Sequence, residues 1–262
     1  MYISAMKPEH LFVVGAQRAG TTYLYYILNN HPQIEMNRSI VPEPKFFLES
    51  GSEHRAEEYK RQFFSNPSVS YWGDKSASYM EFPETAERIA KCFPTARILF
   101  ILRDPVARAV SHFRYSSDNG VETLPMEVVF ADQTLQFRPY DSSKISVSPY
   151  QYLERGKYVS FIDAYAKHFS KEQIKILVFE EFVGNESKVK ELYRYLGVAD
   201  NFVPNSLHER VNLAAKKIDP LSPKLCAKLA EYFRESIEEL SEKYDVNTSK
   251  WNCGPSPRAQ RD

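Results

Sequence analysis

A short glycine-bounded turn near the N-terminus carries residues suited to holding an anion. Gly15 and Gly20 bound the turn in the segment GAQRAGTT. Arg18 supplies a positive charge, and the hydroxyls of Thr21 and Thr22 supply donors. Glycine lets the backbone approach an anion closely, and the free N–H groups at a helix N-terminus point at it. These residue types at this spacing therefore predict a phosphate-binding loop.

The same turn has the spacing of an ATP-binding loop but lacks its lysine. Gly15 and Gly20 enclose four residues, as in the pattern G-x4-G-K-[ST]. Thr21 stands where that pattern has lysine. Because that lysine reaches the β- and γ-phosphates, its absence argues against a kinase or an NTPase. A small-molecule kinase, which would need ATP and Mg²⁺, stays a distant alternative.

Glu43 is a candidate general base. In the segment VPEPKFF it lies between Pro42 and Pro44, which hold it in extended, non-helical backbone. A carboxylate fixed in this way, close in sequence to an anion site, can accept a proton in catalysis. The alternative is a surface glutamate in a proline turn.

Lys75 is a candidate site lysine. The segment YWGDKSASY reads as a strand that enters a turn, and small residues follow Lys75 there. Small neighbours favour a side chain that points into a site. The alternative is a lysine that points into solvent.

A basic residue also follows the clearest buried strand, ARILFIL at 96–102. Ligands bind at the carboxyl ends of strands in open α/β sheets, so Arg103 is placed to meet a ligand phosphate. Asp104 is interpreted as the N-cap of a helix over 106–114, although it could imitate the metal-binding aspartate of an NTPase. Ser111 lies about two turns into that helix.

Strands and amphipathic helices alternate along the chain, which is typical of an α/β domain. The predicted strands are at 11–14, 33–36, 71–79 (entering a turn), 96–102 and 173–179. The predicted helices are at 21–28, 83–92, 106–114, 151–169 with a break at Gly156, a segment closed by Gly197, and 223–244. The region 118–149 is predicted to be less regular, as a cover or a substrate wall.

Composition narrows the partners and the compartment. The chain has 262 residues, enough for one domain, predicted over 1–252 with a disordered tail at 253–262. Lys+Arg and Asp+Glu both number 34, so neither nucleic acid nor an acidic membrane is expected as a partner. The start MYISAMKPEH has no signal-peptide core, and three widely spaced cysteines show no metal pattern. Reduced thiols and a cytoplasmic location are expected.

Six segments, in order, resemble the sulfotransferase superfamily that uses 3'-phosphoadenosine 5'-phosphosulfate (PAPS). In particular, they are similar to the sulfotransferase domains of heparan sulfate enzymes and their bacterial relatives, over roughly 11–251. GAQRAGTTYL resembles the 5'-phosphosulfate loop, and PEPKFF resembles K-E-x-x-F-F. GDKSASY resembles E-K-[ST]-x-x-Y, and ILRDPVARAVSHF resembles the 3'-phosphate motif. LERGKY resembles R-G-x-Y, and RVNLAAKKI loosely resembles the loop that closes over the nucleotide.

The resemblance assigns roles to individual residues. It implies that Glu43 is the catalytic base and that Lys75 and Arg18 assist catalysis. Arg18 replaces a common family lysine, and Pro42 replaces the lysine that precedes the base. Tyr158 is implied in substrate binding. The implied ligands of the nucleotide are Arg18, Ala19, Gly20, Thr21, Thr22, Tyr23, Arg103, Ser111, Lys216 and Lys217.

Two histidines occupy family positions and are interpreted as structural. His31 precedes a proline, and His112 follows Ser111. Other branches of the superfamily use a histidine base, so His112 is the reserve candidate.

The resemblance implies a three-layer, P-loop-like α/β fold with a mainly parallel sheet flanked by helices. It implies in-line transfer of a sulfuryl group from PAPS to an acceptor, release of 3'-phosphoadenosine 5'-phosphate (PAP), and no required metal. The variable segments 51–70 and 118–149 show no strongly basic track, so a small-molecule or short-sugar hydroxyl or amine is the expected acceptor. The alternatives are an O- or N-sulfotransferase of glycans and a non-catalytic PAP-binding protein. Oligomeric state is not predicted.

Overall fold

The computed structural model describes residues 7–209 and 221–251. The chain divides into two compact units, Met1–Leu102 with Phe161–Val211, and Arg103–Ser160 with Asn212–Asp262. The prediction of one sulfotransferase domain over 1–252, with a disordered tail at 253–262, stays a prediction.

In the described residues the first unit contains a sheet of five strands, and every strand pairing is parallel. The order across the sheet is β2-β3-β1-β4-β5. The strands are β1 (Glu9–Gly15), β2 (Ile34–Met36), β3 (Tyr71–Lys75), β4 (Arg97–Leu102) and β5 (Ile174–Val178). The carboxyl ends of these parallel strands meet at one edge of the sheet, where such sheets bind ligands.

The helices alternate with these strands, as the sequence predicts. They are α1 (Thr21–Asn29), α2 (Ala56–Phe63), α3 (Pro83–Cys92), α4 (Pro105–Asp118), α5 (Met126–Ala131), α6 (Tyr158–Ala166), α7 (Phe179–Phe182), α8 (Glu186–Leu196) and α9 (Pro223–Tyr244). Short 3₁₀ helices include Phe46–Leu48 and Tyr79–Glu81. The helix α5 and a 3₁₀ turn at Gln133–Phe137 lie in the region that was predicted to be less regular.

Helices cover both faces of the sheet, because successive side chains of a strand point to opposite faces. On one face, Leu11 and Val13 join a buried cluster with side chains of α1 and α8. On the other face, the Phe12 ring lies 6.3 Å from the Tyr59 ring of α2 and 5.9 Å from the ring of Phe93, which follows α3. The three-layer α/β fold is therefore confirmed for this unit.

The second unit has its own core, formed by α4, α5 and α9. Phe113, Phe130 and Phe233 are buried in it together with Tyr152. Asp104 begins α4 as its N-cap, since its Oδ1 accepts from the backbone N–H of Val106 (2.8 Å) and of Ala107 (3.1 Å). The interpretation of Asp104 as a helix cap is confirmed.

The cysteines differ from the prediction. Cys226, on α9, is disulfide-bonded, so the expectation of reduced thiols is wrong for this residue. Cys92 is a free thiol whose Sγ lies 3.1 Å from the carbonyl oxygen of Glu53. Spacing along a chain reveals metal patterns but not a pairing that the fold creates. Because disulfides persist in oxidising compartments, the predicted cytoplasmic location loses this support and stays a prediction.

Across residues 7–209 and 221–251, no helix combines the length and apolar composition needed to cross a bilayer.

Candidate active site

The glycine-bounded turn that follows β1 is fixed mainly through its backbone. The N–H of Ala16 donates to the carbonyl oxygen of Ile101 on β4, at 2.9 Å. The N–H of Ala19 then donates to the carbonyl oxygen of Ala16, at 3.2 Å. Arg18 has a left-handed backbone with φ of 66° and a half-buried side chain. These bonds tie the turn to the neighbouring strand at the carboxyl edge of the sheet.

Only glycine fits at position 20. Its φ is +96°, which L side chains rarely adopt. A Cβ atom there would lie 2.6 Å from Cδ2 of Phe179, which is too close for two carbon atoms. Gly20 therefore leaves the N-terminus of α1 without a side-chain cap.

The first turn of α1 is suited to an anion. It contains no acidic residue, and the helix dipole makes this end positive. Thr21 is buried and Thr22 is half-buried. The hydroxyl of Tyr23 donates to the carbonyl oxygen of Leu207 at 2.8 Å and accepts from the N–H of Gly184 at 3.0 Å. Because these two hydrogen bonds hold the buried Tyr23 hydroxyl within the protein, Tyr23 can contribute to an anion site only through its backbone.

Glu43 and Lys75 form an ion pair. Nζ of Lys75 donates to Oε1 of Glu43 at 2.6 Å, and the N–H of Ala77 donates to Oε2 at 3.0 Å. The Lys75 side chain is only 4% exposed, and that of Glu43 is 19% exposed. A solvated lysine is therefore excluded, and Glu43 is not a free surface glutamate. Each carboxylate oxygen can accept more than one hydrogen bond, so Glu43 keeps lone pairs that can accept a further hydrogen bond.

The ion pair lies at the same edge of the sheet as the turn. Lys75 ends β3 and is the register partner of Val13 on β1. The N–H of Ser76 donates to the carbonyl oxygen of Val13 at 3.2 Å. Gly15, where the turn begins, is two residues beyond Val13. The first unit thus brings the predicted base, the predicted site lysine and the predicted anion loop to adjacent strand ends.

Asp74, which precedes Lys75 on β3, is a buried carboxylate. Asp74 accepts hydrogen bonds from the Ser76 hydroxyl (2.8 Å), the Tyr79 hydroxyl (3.0 Å) and the Tyr59 hydroxyl (3.2 Å). All four side chains are buried. The pKa of Asp74 is raised from 3.8 to about 7. Burial is the main cause and the charge of Glu43 adds to it, whereas the three hydrogen bonds lower the pKa.

Two of the predicted residues in the second unit, Arg103 and Ser111, lie just before α4 and on it. Arg103 directly follows the last residue of β4 in sequence, and Ser111 lies on α4. Both are half-buried. The hydroxyl of Tyr158 donates to the carbonyl oxygen of Arg103 at 2.7 Å, so this hydroxyl holds the Arg103 backbone. The substrate role of Tyr158 stays a prediction. Lys216 and Lys217 lie outside the described residues.

The two histidines have structural contacts. Nδ1 of His31 accepts from the N–H of Gln33 at 3.2 Å, so Nε2 carries the proton and donates to the carbonyl oxygen of Ala199 at 2.9 Å. Burial lowers the pKa of His31, which favours this neutral ring. The structural interpretation of His31 is confirmed. The His112 ring is buried 4.7 Å from the Tyr152 ring, in agreement with a structural role.

Residues 8–201 match the Sulfotransferase family. The chain belongs to this family. It is therefore a transferase of the sulfotransferase class.

Relatives and solved structures agree with this assignment. The sequence is 30% identical over 207 residues to "Bifunctional heparan sulfate N-deacetylase/N-sulfotransferase 4" of Mus musculus, which covers 74% of this chain and 23% of the relative. It is 28% identical over 195 residues to the corresponding enzyme 1 of Caenorhabditis briggsae, which covers 72% of this chain and 22% of that relative. The chain thus spans less than a quarter of the length of these relatives.

Two solved structures share the fold. A sulfotransferase from Alicyclobacillus acidocaldarius superposes with a TM-score of 0.76 at 26% identity, covering 94% of this chain and 99% of that one. A mouse sulfotransferase complexed with PAP superposes with a TM-score of 0.55 at 18% identity, covering 91% of this chain and 86% of that one. The predicted sulfotransferase fold is confirmed.

Sequence reasoning missed two buried residues next to the ion pair of this sulfotransferase. One is Asp74, although it lies in the segment GDKSASY, from which only the lysine was selected. The other is Asn37, whose Oδ1 accepts from the N–H of Lys75 at 3.0 Å and whose N–H donates to the carbonyl oxygen of Gly73 at 2.7 Å. Asn37 directly follows a short strand, and no sequence signal marks it.

Proposed function

We propose that this sulfotransferase moves the sulfuryl group of PAPS to a hydroxyl or amine of a small-molecule or short-sugar acceptor. The observation that carries the proposal is the Glu43–Lys75 ion pair, 2.6 Å between Oε1 and Nζ, at the strand end beside the anion loop. A carboxylate and an ammonium at that place supply a base for the acceptor and a positive charge for the leaving group.

The loop is proposed to bind the 5'-phosphosulfate. Gly20 has no side chain that would cap the start of α1, so the N–H groups there can bind an anion, and Arg18 adds positive charge. In this proposal Ala19, Thr21, Thr22 and Tyr23 contribute backbone N–H groups or hydroxyls. Arg103 and Ser111 are proposed ligands of the 3'-phosphate because their segment resembles the family motif. Lys216 and Lys217 are proposed on the looser resemblance alone.

The proposed reaction is an in-line displacement at sulfur. The acceptor oxygen or nitrogen forms a new bond to sulfur while the bond from sulfur to the bridging oxygen of the 5'-phosphate breaks. Glu43 takes the proton that the acceptor loses, and PAP leaves with the electron pair of the broken bond. Lys75, Arg18 and the loop N–H groups stabilise the negative charge that grows on the bridging oxygen.

A glycan amine is a second candidate acceptor. It is favoured by the 30% identity to an enzyme named as a heparan sulfate N-sulfotransferase, over 74% of this chain. Because the chain spans only 23% of that relative, this acceptor is a proposal of its own.

The donor site is tested by calorimetric titration with PAP, run beside ATP with Mg²⁺. We expect PAP to bind in the micromolar range without added metal and ATP not to bind. Binding of ATP but not of PAP would overturn the proposed donor.

The acceptor is tested by turnover of PAPS. One arm uses a panel of phenols, amines and short sugars, and the other uses an N-desulfated heparan oligosaccharide. Sulfation of the small acceptors alone supports the first proposal, and sulfation of the oligosaccharide amine alone supports the second. No transfer in either arm, with PAP bound, would leave a PAP-binding protein and contradict both.

A further inference from the structure

The segment that carries Glu43 is anchored at two points. The N–H of Lys45 donates to Oγ of Ser76 at 2.9 Å, and the N–H of Phe47 donates to the Tyr79 hydroxyl at 3.2 Å. These anchors lie two and four residues after Glu43. They fix the backbone that positions the Glu43 carboxylate.

Both anchoring hydroxyls donate a hydrogen bond to the same carboxylate. Ser76 donates to Oδ1 of Asp74, and Tyr79 donates to Oδ2. A hydroxyl has one proton, so donation to Asp74 turns a lone pair toward the backbone N–H of the Glu43 segment. Asp74 thereby sets the direction of both anchors.

We infer that Asp74 is a positioning residue for Glu43, acting through Ser76 and Tyr79. The role of Glu43 as the base rests on the function proposed above. Asp74 is fully buried, so it acts only through these neighbours. It is placed to keep the Glu43 carboxylate in register with Lys75 and the N–H of Ala77.

Tyr59 provides a matched control. Like Tyr79, it is fully buried and donates to Oδ2 of Asp74. Of these two hydroxyls, that of Tyr79 also accepts from the Glu43 segment, through the N–H of Phe47. The variants Tyr79→Phe and Tyr59→Phe therefore remove equivalent hydroxyls, but only the first breaks an anchor. Asp74→Asn tests the role of Asp74 directly. If that variant does not fold, the comparison of Tyr79→Phe with Tyr59→Phe still decides the test.

The experiment combines three measurements on the full chain. They are hydrogen–deuterium exchange of the segment 43–48, the dissociation constant for PAP, and turnover of PAPS with the best acceptor of the panel above. We expect Tyr79→Phe to exchange faster at 43–48 and to lower kcat about 10-fold, since loss of one buried hydrogen bond changes such rates by about that factor. We expect unchanged PAP affinity. Tyr59→Phe should keep the exchange, the affinity and the turnover of the wild type.

The double variant with Glu43→Gln shows whether the effect passes through the base. If it does, Tyr79→Phe lowers the residual rate of Glu43→Gln no further. The inference is overturned if Tyr79→Phe keeps wild-type exchange and kcat, or if Tyr59→Phe loses as much as Tyr79→Phe. If the wild type transfers no sulfuryl group, the proposed function fails, while the exchange comparison still decides whether the anchors hold the segment.

Discussion

The anion loop and the Glu43–Lys75 ion pair lie at the same sheet edge but are held by different parts of the chain. The loop is fixed by backbone bonds, such as that from the N–H of Ala16 to Ile101, and by the left-handed conformation of Gly20. The ion pair is formed by two side chains, and the segment that carries Glu43 is anchored to the hydroxyls of Ser76 and Tyr79. Loop function should therefore depend on glycine geometry, whereas base function should depend on individual side-chain atoms.

The largest expected effect is on turnover, from a change in the Glu43–Lys75 ion pair. Glu43→Gln removes the proposed base but keeps an amide oxygen for Lys75 or the N–H of Ala77. We expect turnover of PAPS to fall by about 10²–10⁴-fold, the usual contribution of general-base catalysis, with PAP affinity unchanged. Steady-state kinetics and calorimetry measure the two quantities. Glu49→Gln, at an exposed glutamate six residues later, is the control, and full activity of Glu43→Gln would refute its role.

Arg103→Ala should affect nucleotide affinity rather than the chemical step. A charge-assisted hydrogen bond to phosphate contributes about 1.5–3 kcal/mol, so PAP should bind about 10–100-fold more weakly. Calorimetric titration with PAP measures this, and Arg234→Ala, at an exposed arginine of α9, is the control. An unchanged dissociation constant would remove Arg103 from the proposed donor site.

Gly20→Ala tests the anion loop, which is held by backbone contacts. The left-handed conformation costs an alanine about 1–2 kcal/mol, and its Cβ would meet the ring of Phe179. We expect PAP affinity to fall about 10-fold, with reduced stability. Gly51→Ala is a matched control, because Gly51 has φ of +82° but open space around its Cβ position. That control should lose stability and keep PAP affinity. Equal loss of affinity in both variants would contradict a local role of Gly20.

The last expected effect is on stability and not on activity, and it is a pH dependence that comes from Asp74. Its folded-state pKa is raised to about 7 by burial, against an ordinary value of 3.8. Between these values the folded chain holds a proton that the unfolded chain releases, so the free energy of unfolding falls as pH rises. The contribution is therefore complete below about pH 4 and is lost by about pH 7.

Urea unfolding of the wild type and of Asp74→Asn over this range measures the effect. As the pH rises, the free energy of unfolding of the wild type should fall relative to that of Asp74→Asn by at most about 1.4 kcal/mol per pH unit. His10, whose pKa burial lowers to about 3, has the opposite dependence but is present in both proteins and cancels. A difference that does not change with pH would show that Asp74 is ionised throughout.

The order of the elements and the glycine-bounded turn at Gly15–Gly20 were predictable from signals within short segments of the chain. The predicted helices at 83–92 and 223–244 coincide with α3 and α9, and the predicted strand at 96–102 contains β4. These elements follow from hydrophobic periodicity and from local signals such as the cap Asp104, which act between residues close in the chain. Gly20 is readable for the same reason, because its backbone conformation is a local property.

The contacts that hold Glu43 join segments far apart in the chain, so they could not be predicted from the sequence. Its partner Lys75 lies 32 residues away in sequence, and the anchor from Lys45 to Ser76 joins residues 31 apart. Spacing along the chain cannot show that Asp74 collects three hydroxyls, nor that Cys226 is disulfide-bonded. Such contacts depend on parallel strands β1, β2 and β3 bringing distant segments to one edge. A buried carboxylate is stable there only because the folded chain supplies its donors.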